Sequence, residues 1–234
     1  PVNPRRADDY REAALAKASS LGKTDEETIS RYQQKFFCRT GEIRERARRV
    51  NLAFNPDLVL CLHFNAEAWG DPLKPTLTEN NHFHVLLHGA LTRKEIAHDD
   101  ERFEMLVKIL QRSHEEEKAL GIYMAQSLSK ATKLPAYEYL NAASRARPIK
   151  EIPGLWIRNL LANRIYQCPV IFLEPYVMNN KQVHERIQLG DYKETKMIQG
   201  EEKKSIYREY ADAVVVALKQ YYLDYRIIYN PEGS

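Results

Sequence analysis

The chain has 234 residues, 44% of them apolar and 29% charged, with 35 basic against 32 acidic side chains and a formal net charge of +3. That near-balance argues against a dedicated nucleic-acid binder, which concentrates a basic field. No apolar run approaches the ~20 residues of a membrane span, and the length is most simply one α/β domain with a sizeable core.

The first residues, Pro1-Val-Asn-Pro4, read as a loop, and with no initiator Met the chain is expected to be a piece or processed form of something longer. Tyr10 to Ala18 reads as a helix ended by Gly22, and Thr24-Asp-Glu-Glu27 as the start of another. Glu42 to Phe54 is amphipathic, with Ile43, Ala47, Val50 and Phe54 at helical spacing and Glu42/Arg46 and Glu45/Arg49 as i,i+4 pairs. The basic run Arg44 to Arg49 is therefore a solvated helix face. Asn55-Pro56 breaks this helix and launches a strand, Asp57 to His63.

Trp69 to Asn81, with Pro72 and Pro75, is a loop, and His82 to Leu91 reads as a strand. Thr92 and Glu95 form a capping box. Phe103 to Leu110 and Leu120 to Ala131 carry helical stripes that end by Pro135. Leu155 to Ile157 is a short strand, Arg158 to Arg164 a helix, Cys168 to Glu174 an apolar strand and Ser205 to Tyr225 a final helix. Strands alternating with helices give an α/β fold with a twisted, largely parallel sheet flanked by helices. Cys38, Cys61 and Cys168 cannot all pair, and Cys61 and Cys168 read as small buried hydrophobes.

Two apolar runs stop at an ionisable residue, His63 in one and Glu174 in the other. In open parallel sheets, ligands collect outside the carboxyl ends of strands. A lone strand-end His is more often structural than a ligand. A carboxylate after Val-Ile-Phe-Leu is costly to desolvate unless paired, and Arg158 or Arg164 is the bland partner. His82, His84 and His88 share one strand face, which fits either a metal cluster or a polar face near solvent. No HExxH, P-loop, GxGxxG or GxSxG is present.

Arg39-Thr40, then Glu42 to Asn51, then Pro56-Asp-Leu-Val-Leu-Cys-Leu-His63-Phe-Asn65-Ala66 resemble the central stretch of zinc-dependent N-acetylmuramoyl-L-alanine amidases. Pro169-Val-Ile-Phe-Leu-Glu174-Pro-Tyr176-Val-Met-Asn179 resembles a later block of the same family. The resemblance implies the twisted amidase (phosphorylase/hydrolase-like) fold over residues 1–234, N-terminally incomplete, with residues 92–153 as a mainly helical insertion. It implies Zn2+ as cofactor, His63 as a metal ligand and Glu174 as the catalytic carboxylate. Arg158 would bind a substrate carboxylate, and Asn65 would orient His63 or the substrate. The substrate class is peptidoglycan or muropeptides, the place the periplasm or other cell envelope, and a regulatory protein partner is open.

The family's first two zinc ligands have no counterpart before Arg39. They are expected upstream, with a substitute site on the His82/His84 strand or a dead site as alternatives. Tyr176 and Phe64 replace smaller family residues, so a narrower groove is expected. A catalytically inactive peptidoglycan-binding or regulatory module, and a metallopeptidase of other specificity, stand as rival functions.

Overall fold

A computed structural model of the chain describes residues 2–71, 73–140 and 145–229. Pro1 and Pro72, on which part of the loop readings fell, lie outside the described residues, as do segments 141–144 and 230–234.

A helical hairpin comes first, formed by α1 (Arg11–Ser19) and α2 (Glu26–Lys35). Gly22, at φ +67°, turns the chain between them, and the carboxylate of Asp25 caps α2 by accepting the Thr28 N–H at 2.8 Å. A π-helical turn, Phe36–Gly41, leads into α3 (Glu42–Ala53). Arg46 bonds Glu42 and Arg49 bonds Glu45 on the outer face of α3, as the spacing predicts.

The central sheet takes β1 (Val59–Leu62), β2 (Phe83–Leu87), β3 (Arg147–Pro148), β4 (Leu155–Ile157) and β5 (Val170–Pro175) in the order β1-β5-β2-β4-β3. The β1–β5 and β2–β4 pairs are parallel; β2 against β5 and the short β3 against β4 are antiparallel. The sequence order alone suggested more parallel pairing. Parallel neighbours need a crossover, usually a helix, but among the described residues the connection from β1 to β2 contains none. It turns back, so β2 enters the sheet against the direction of β5. The strands are also shorter than their apolar runs. Gly89 (φ +143°) and Ala90 (φ +54°) bend the chain away soon after β2.

Between β2 and β3 lie α4 (Arg93–Ile96), α5 (Asp99–Leu110) and α6 (Ser113–Thr132). The capping box at α4 forms as read, with Glu95 N–H on Thr92 Oγ1 and Thr92 N–H on Glu95 Oε2. The one-turn α7 (Leu161–Arg164) precedes β5. It begins later than the helix read from Arg158, because the Arg158 N–H still donates to Leu87 O at 2.9 Å as the end of the β4 ladder. The chain closes with α8 (Lys181–Gln188), the hairpin β6 (Lys196–Ile198) and β7 (Glu201–Lys203), and α9 (Ile206–Tyr229).

Side-chain alternation along the strands divides the sheet into two faces. Phe83, Val85, Leu87, Leu155, Ile171 and Leu173 face α6 and α9 in the main core. α6 comes close at Gly121, where a Cβ would sit 3.0 Å from a Leu87 methyl and 3.1 Å from one of Leu155. On the other face, Val59, Cys61 and Val170 pack with Ala47, Ile165 and Tyr166 of the α3 and α7 region. That second core covers only the entry end of β5. Its exit end carries polar residues instead.

Candidate active site

The register assembles those polar residues on one face. His63 follows the last residue of β1 and continues the ladder, its N–H donating to Leu173 O at 3.0 Å, so it lies beside Glu174 of β5. Glu174 in turn faces His84 of β2 across the antiparallel pair, and Leu86, one step along that face, pairs with Trp156 of β4. His63, Glu174, His84 and Trp156 therefore share one face at one end of the sheet.

Glu174 does not pair with either arginine expected from the sequence. Its Oε2 lies 2.5 Å from His84 Nε2. Arg158 instead donates from Nη1 to the Tyr139 hydroxyl at 3.4 Å and stacks on that ring, while Arg164 is held by Glu104 at 2.6 Å and Glu101 at 3.3 Å. The Tyr139 hydroxyl also lies 3.3 Å from His84 Nε2. A chain of contacts thus runs Arg158–Tyr139–His84–Glu174.

The histidines of β2 are not a solvated face. His82 and His84 are buried, His84 with only 1% of its surface exposed. Burial lowers the His82 pKa, and its Nε2 lies 3.3 Å from Glu67 Oε1. Tyr137 covers both rings, with centroids 4.3 Å from His82 and 5.1 Å from His84. Tyr139 meets His84 edge-on at 5.6 Å and Trp156 at 5.0 Å. The Trp156 indole is fixed by its N–H on Tyr137 O at 3.0 Å. Burial pushes the Tyr139 hydroxyl up to about 12. These three aromatics were not singled out from the sequence. The available signal was their spacing after Pro135, Tyr137 and Tyr139 being two apart in a segment that lies along β2, with Tyr137 N–H on Phe83 O. The same residues line a groove of about 330 Å³ between their loop and residues 148–156.

His63 is exposed, and its ring stacks on Phe172 at a centroid distance of 4.4 Å. Asn65 does not orient it. The Asn65 side chain accepts the Ala66 N–H at 2.8 Å, and its backbone bonds Tyr176 and Met178. Asn65 is thus a tie between the loops after β1 and β5. Asn179, the last residue of the second block, completes that tie by bonding both backbone groups of Glu67. Tyr176 and Phe64 do not narrow a groove on this face: both rings pack against Tyr210 in the α9 core on the opposite side.

A catalytic zinc takes three protein ligands and an open position. Among the described residues no group of three or more His, Cys, Asp or Glu side chains could hold a metal ion. His84 and His82 are turned to Glu174 and Glu67 in separate pairs, and His63 has no co-ligand among the described residues. The donor set does not fit a catalytic zinc.

No family model matches the sequence, and no curated protein does. Among solved structures, the chain is similar to the N-acetylmuramyl-L-alanine amidase Ami1 from Mycobacterium smegmatis, at 16% identity and a TM-score of 0.44, covering 76% of this chain and 59% of that one. It is also similar to the apo form of Ami1 from Mycobacterium abscessus, at 21% identity and a TM-score of 0.42, covering 76% of this chain and 60% of that one.

Proposed function

We propose that this chain is a hydrolase of the amide between N-acetylmuramic acid and L-alanine in peptidoglycan or muropeptides, working in the cell envelope, with Glu174 as the group that moves the proton. The observation that carries the reading is the backbone register that brings His63, just past β1, beside Glu174 of β5. These are the two residues at which the separate sequence blocks resemble the amidase family. Glu174 would accept a proton from the attacking water and return it to the leaving amine. Its carboxylate is 18% exposed, enough to meet a substrate at the sheet edge. Arg158, half-buried and held on Tyr139, is the cation nearest this path for a substrate carboxylate. No step here passes through zinc, because His63 lacks partners for it among the described residues.

The test is release of L-alanine-initiated peptide from a muramoyl-peptide, with plain peptides alongside, for the wild-type chain and Glu174→Gln. Turnover of the muramoyl bond that falls by about 100-fold or more in the variant supports the reading. Equal rates in the two proteins would sink it, and a preference for plain peptides would point to a peptidase.

A second reading is a non-catalytic peptidoglycan-binding module. It draws on the donor set, in which Nε2 of His84 and Nε2 of His82 each lie against a carboxylate. It predicts muropeptide binding without release of peptide.

A further inference from the structure

The histidine that meets Glu174 comes from β2, outside both sequence blocks that resemble the amidases. We propose that His84 is a positioning residue, holding Glu174 through the close contact of its Nε2 with Oε2 so that the carboxylate faces the substrate in one orientation. The proposal rests on the reading of Glu174 as the proton-moving group.

The geometry has four parts. Nε2 and Oε2 stand 2.5 Å apart, within ion-pair distance. The antiparallel register sets His84 directly opposite Glu174, so the contact is built into the ladder and does not depend on a flexible loop. The imidazole is fixed by near-complete burial and by Tyr137 and Tyr139 on its sides. The other ring nitrogen, Nδ1, has no protein partner among the described residues, so Nε2 alone carries the polar contacts of the ring, to Glu174 and to Tyr139.

The Tyr139 hydroxyl, which accepts from Arg158, crowds the same Nε2 from a second side at 3.3 Å. It limits the swing of the imidazole away from Glu174. A glutamate on a strand end with no such clamp would sample several rotamers, and loss of orientation of about 1 Å at a reacting group costs on the order of 100-fold in rate.

The experiment compares wild type, His84→Gln and His84→Leu on the muramoyl-peptide, with melting curves for each. Glutamine can keep a side-chain N–H near the position of Nε2, and leucine cannot. The expected result is a kcat for His84→Leu reduced on the order of 100-fold with KM changed little, and most of that loss recovered by His84→Gln. A wild-type kcat in His84→Leu, or equal losses in the two variants, overturns the proposal.

Because a leucine at a buried site can unfold the protein, a second readout uses the intact chain labelled with 15N-histidine. The Nε2 signal of His84, assigned by its absence in His84→Gln, should shift in Glu174→Gln. A His84 Nε2 signal indifferent to Glu174 overturns the clamp even if turnover is seen. If wild type releases no peptide, the hydrolase reading falls, and with it the part given to His84 in catalysis, whatever the spectrum shows.

Discussion

Asn179 grips the backbone of Glu67 from both sides, accepting its N–H on Oδ1 at 2.9 Å and donating from Nδ2 to its carbonyl at 3.0 Å. The amide is 3% exposed. It links the loop after β1, which holds His63 and Asn65, to the loop after β5, which follows Glu174. The side chain of Glu67 in turn reaches His82.

Asn179→Ala removes both bonds and leaves a partly buried N–H and C=O unmatched. The expected cost is about 1–3 kcal/mol of unfolding free energy, measured by urea denaturation. The Glu67 amide should also exchange with solvent faster than neighbouring amides do. Asn179→Asp keeps the acceptor for the Glu67 N–H and loses the donor, so its exchange rate should lie between the two. Unchanged Glu67 exchange in Asn179→Ala means the loops are tied elsewhere.

Tyr176 holds a left-handed backbone, φ +68°, that L-residues other than Asn and Asp rarely adopt. It is compensated by a fully buried ring and by a hydroxyl that donates to Glu209 Oε1 at 2.6 Å, a carboxylate also bonded to Arg186. Burial and the Glu209 charge drive the phenol pKa upward. Tyr176→Phe should cost about 1.5–3 kcal/mol, the value of a charge-assisted bond. Tyr176→Gly relieves the backbone but removes the ring, whose deletion costs about 3–5 kcal/mol. The stability order by urea midpoint is therefore wild type, then Phe, then Gly. A glycine variant as stable as wild type would mean that backbone strain outweighs ring burial here.

Periodicity and caps made most helices and strand centres legible: α3 by its stripe, α4 by Thr92 and Glu95, β5 by its apolar run. Glu174 and His63 were legible because ionisable residues that end apolar runs stand out. The rest of the site depends on strand direction, which no local pattern carries. With β2 parallel to β5, His84 would lie at the opposite end of the sheet; antiparallel, it faces Glu174. The aromatic wall was hidden for a related reason. Tyr137 and Tyr139 sit in a segment with no periodicity, and only the pairing of that segment with β2 gives them a role. The bland assignment of Glu174 to an arginine failed because Arg164 is drawn away by two glutamates of α5, a contact made across about 60 residues of sequence.

His88, just past the far end of β2, gives the fold a pH dependence of its own. Burial, with Lys108 and Arg164 nearby, lowers its pKa from 6.5 to about 4. Neither ring nitrogen has a protein partner among the described residues. Between those two values the unfolded chain binds a proton that the folded chain does not, so stability is full above pH 6.5 and is lost as pH falls towards 4. At about 1.4 kcal/mol per pH unit the upper bound is near 3 kcal/mol, and partial solvent access brings the expectation to about 2 kcal/mol. Carboxylates titrate in the lower part of this window, so the measurement is the difference between wild type and His88→Leu. Unfolding free energies at pH 7 and pH 5 should differ less in the variant than in wild type. Parallel pH profiles in the two proteins would show that His88 is protonated at little cost.

Lys108 and Glu117 form an ion pair between α5 and α6, 3.0 Å apart, with side chains 4% and 2% exposed. Lys108 also donates to Cys168 O, and the same Glu117 oxygen accepts the Val170 N–H at 3.0 Å. The pair therefore holds the start of β5, the strand that ends in Glu174. Desolvation of two buried charges offsets much of their attraction, so the pair contributes little beyond an apolar replacement, yet breaking it strands a charge. Lys108→Met should cost about 3–5 kcal/mol, because Glu117 is left ionised or must take up a proton in an apolar site. Adding Glu117→Gln removes that charge and keeps a side-chain oxygen for Val170, so the double variant should recover more than half of the loss. The cycle is read by urea denaturation at pH 7. A double variant no more stable than Lys108→Met would show that the loss came from packing of the lysine stem and not from the stranded carboxylate.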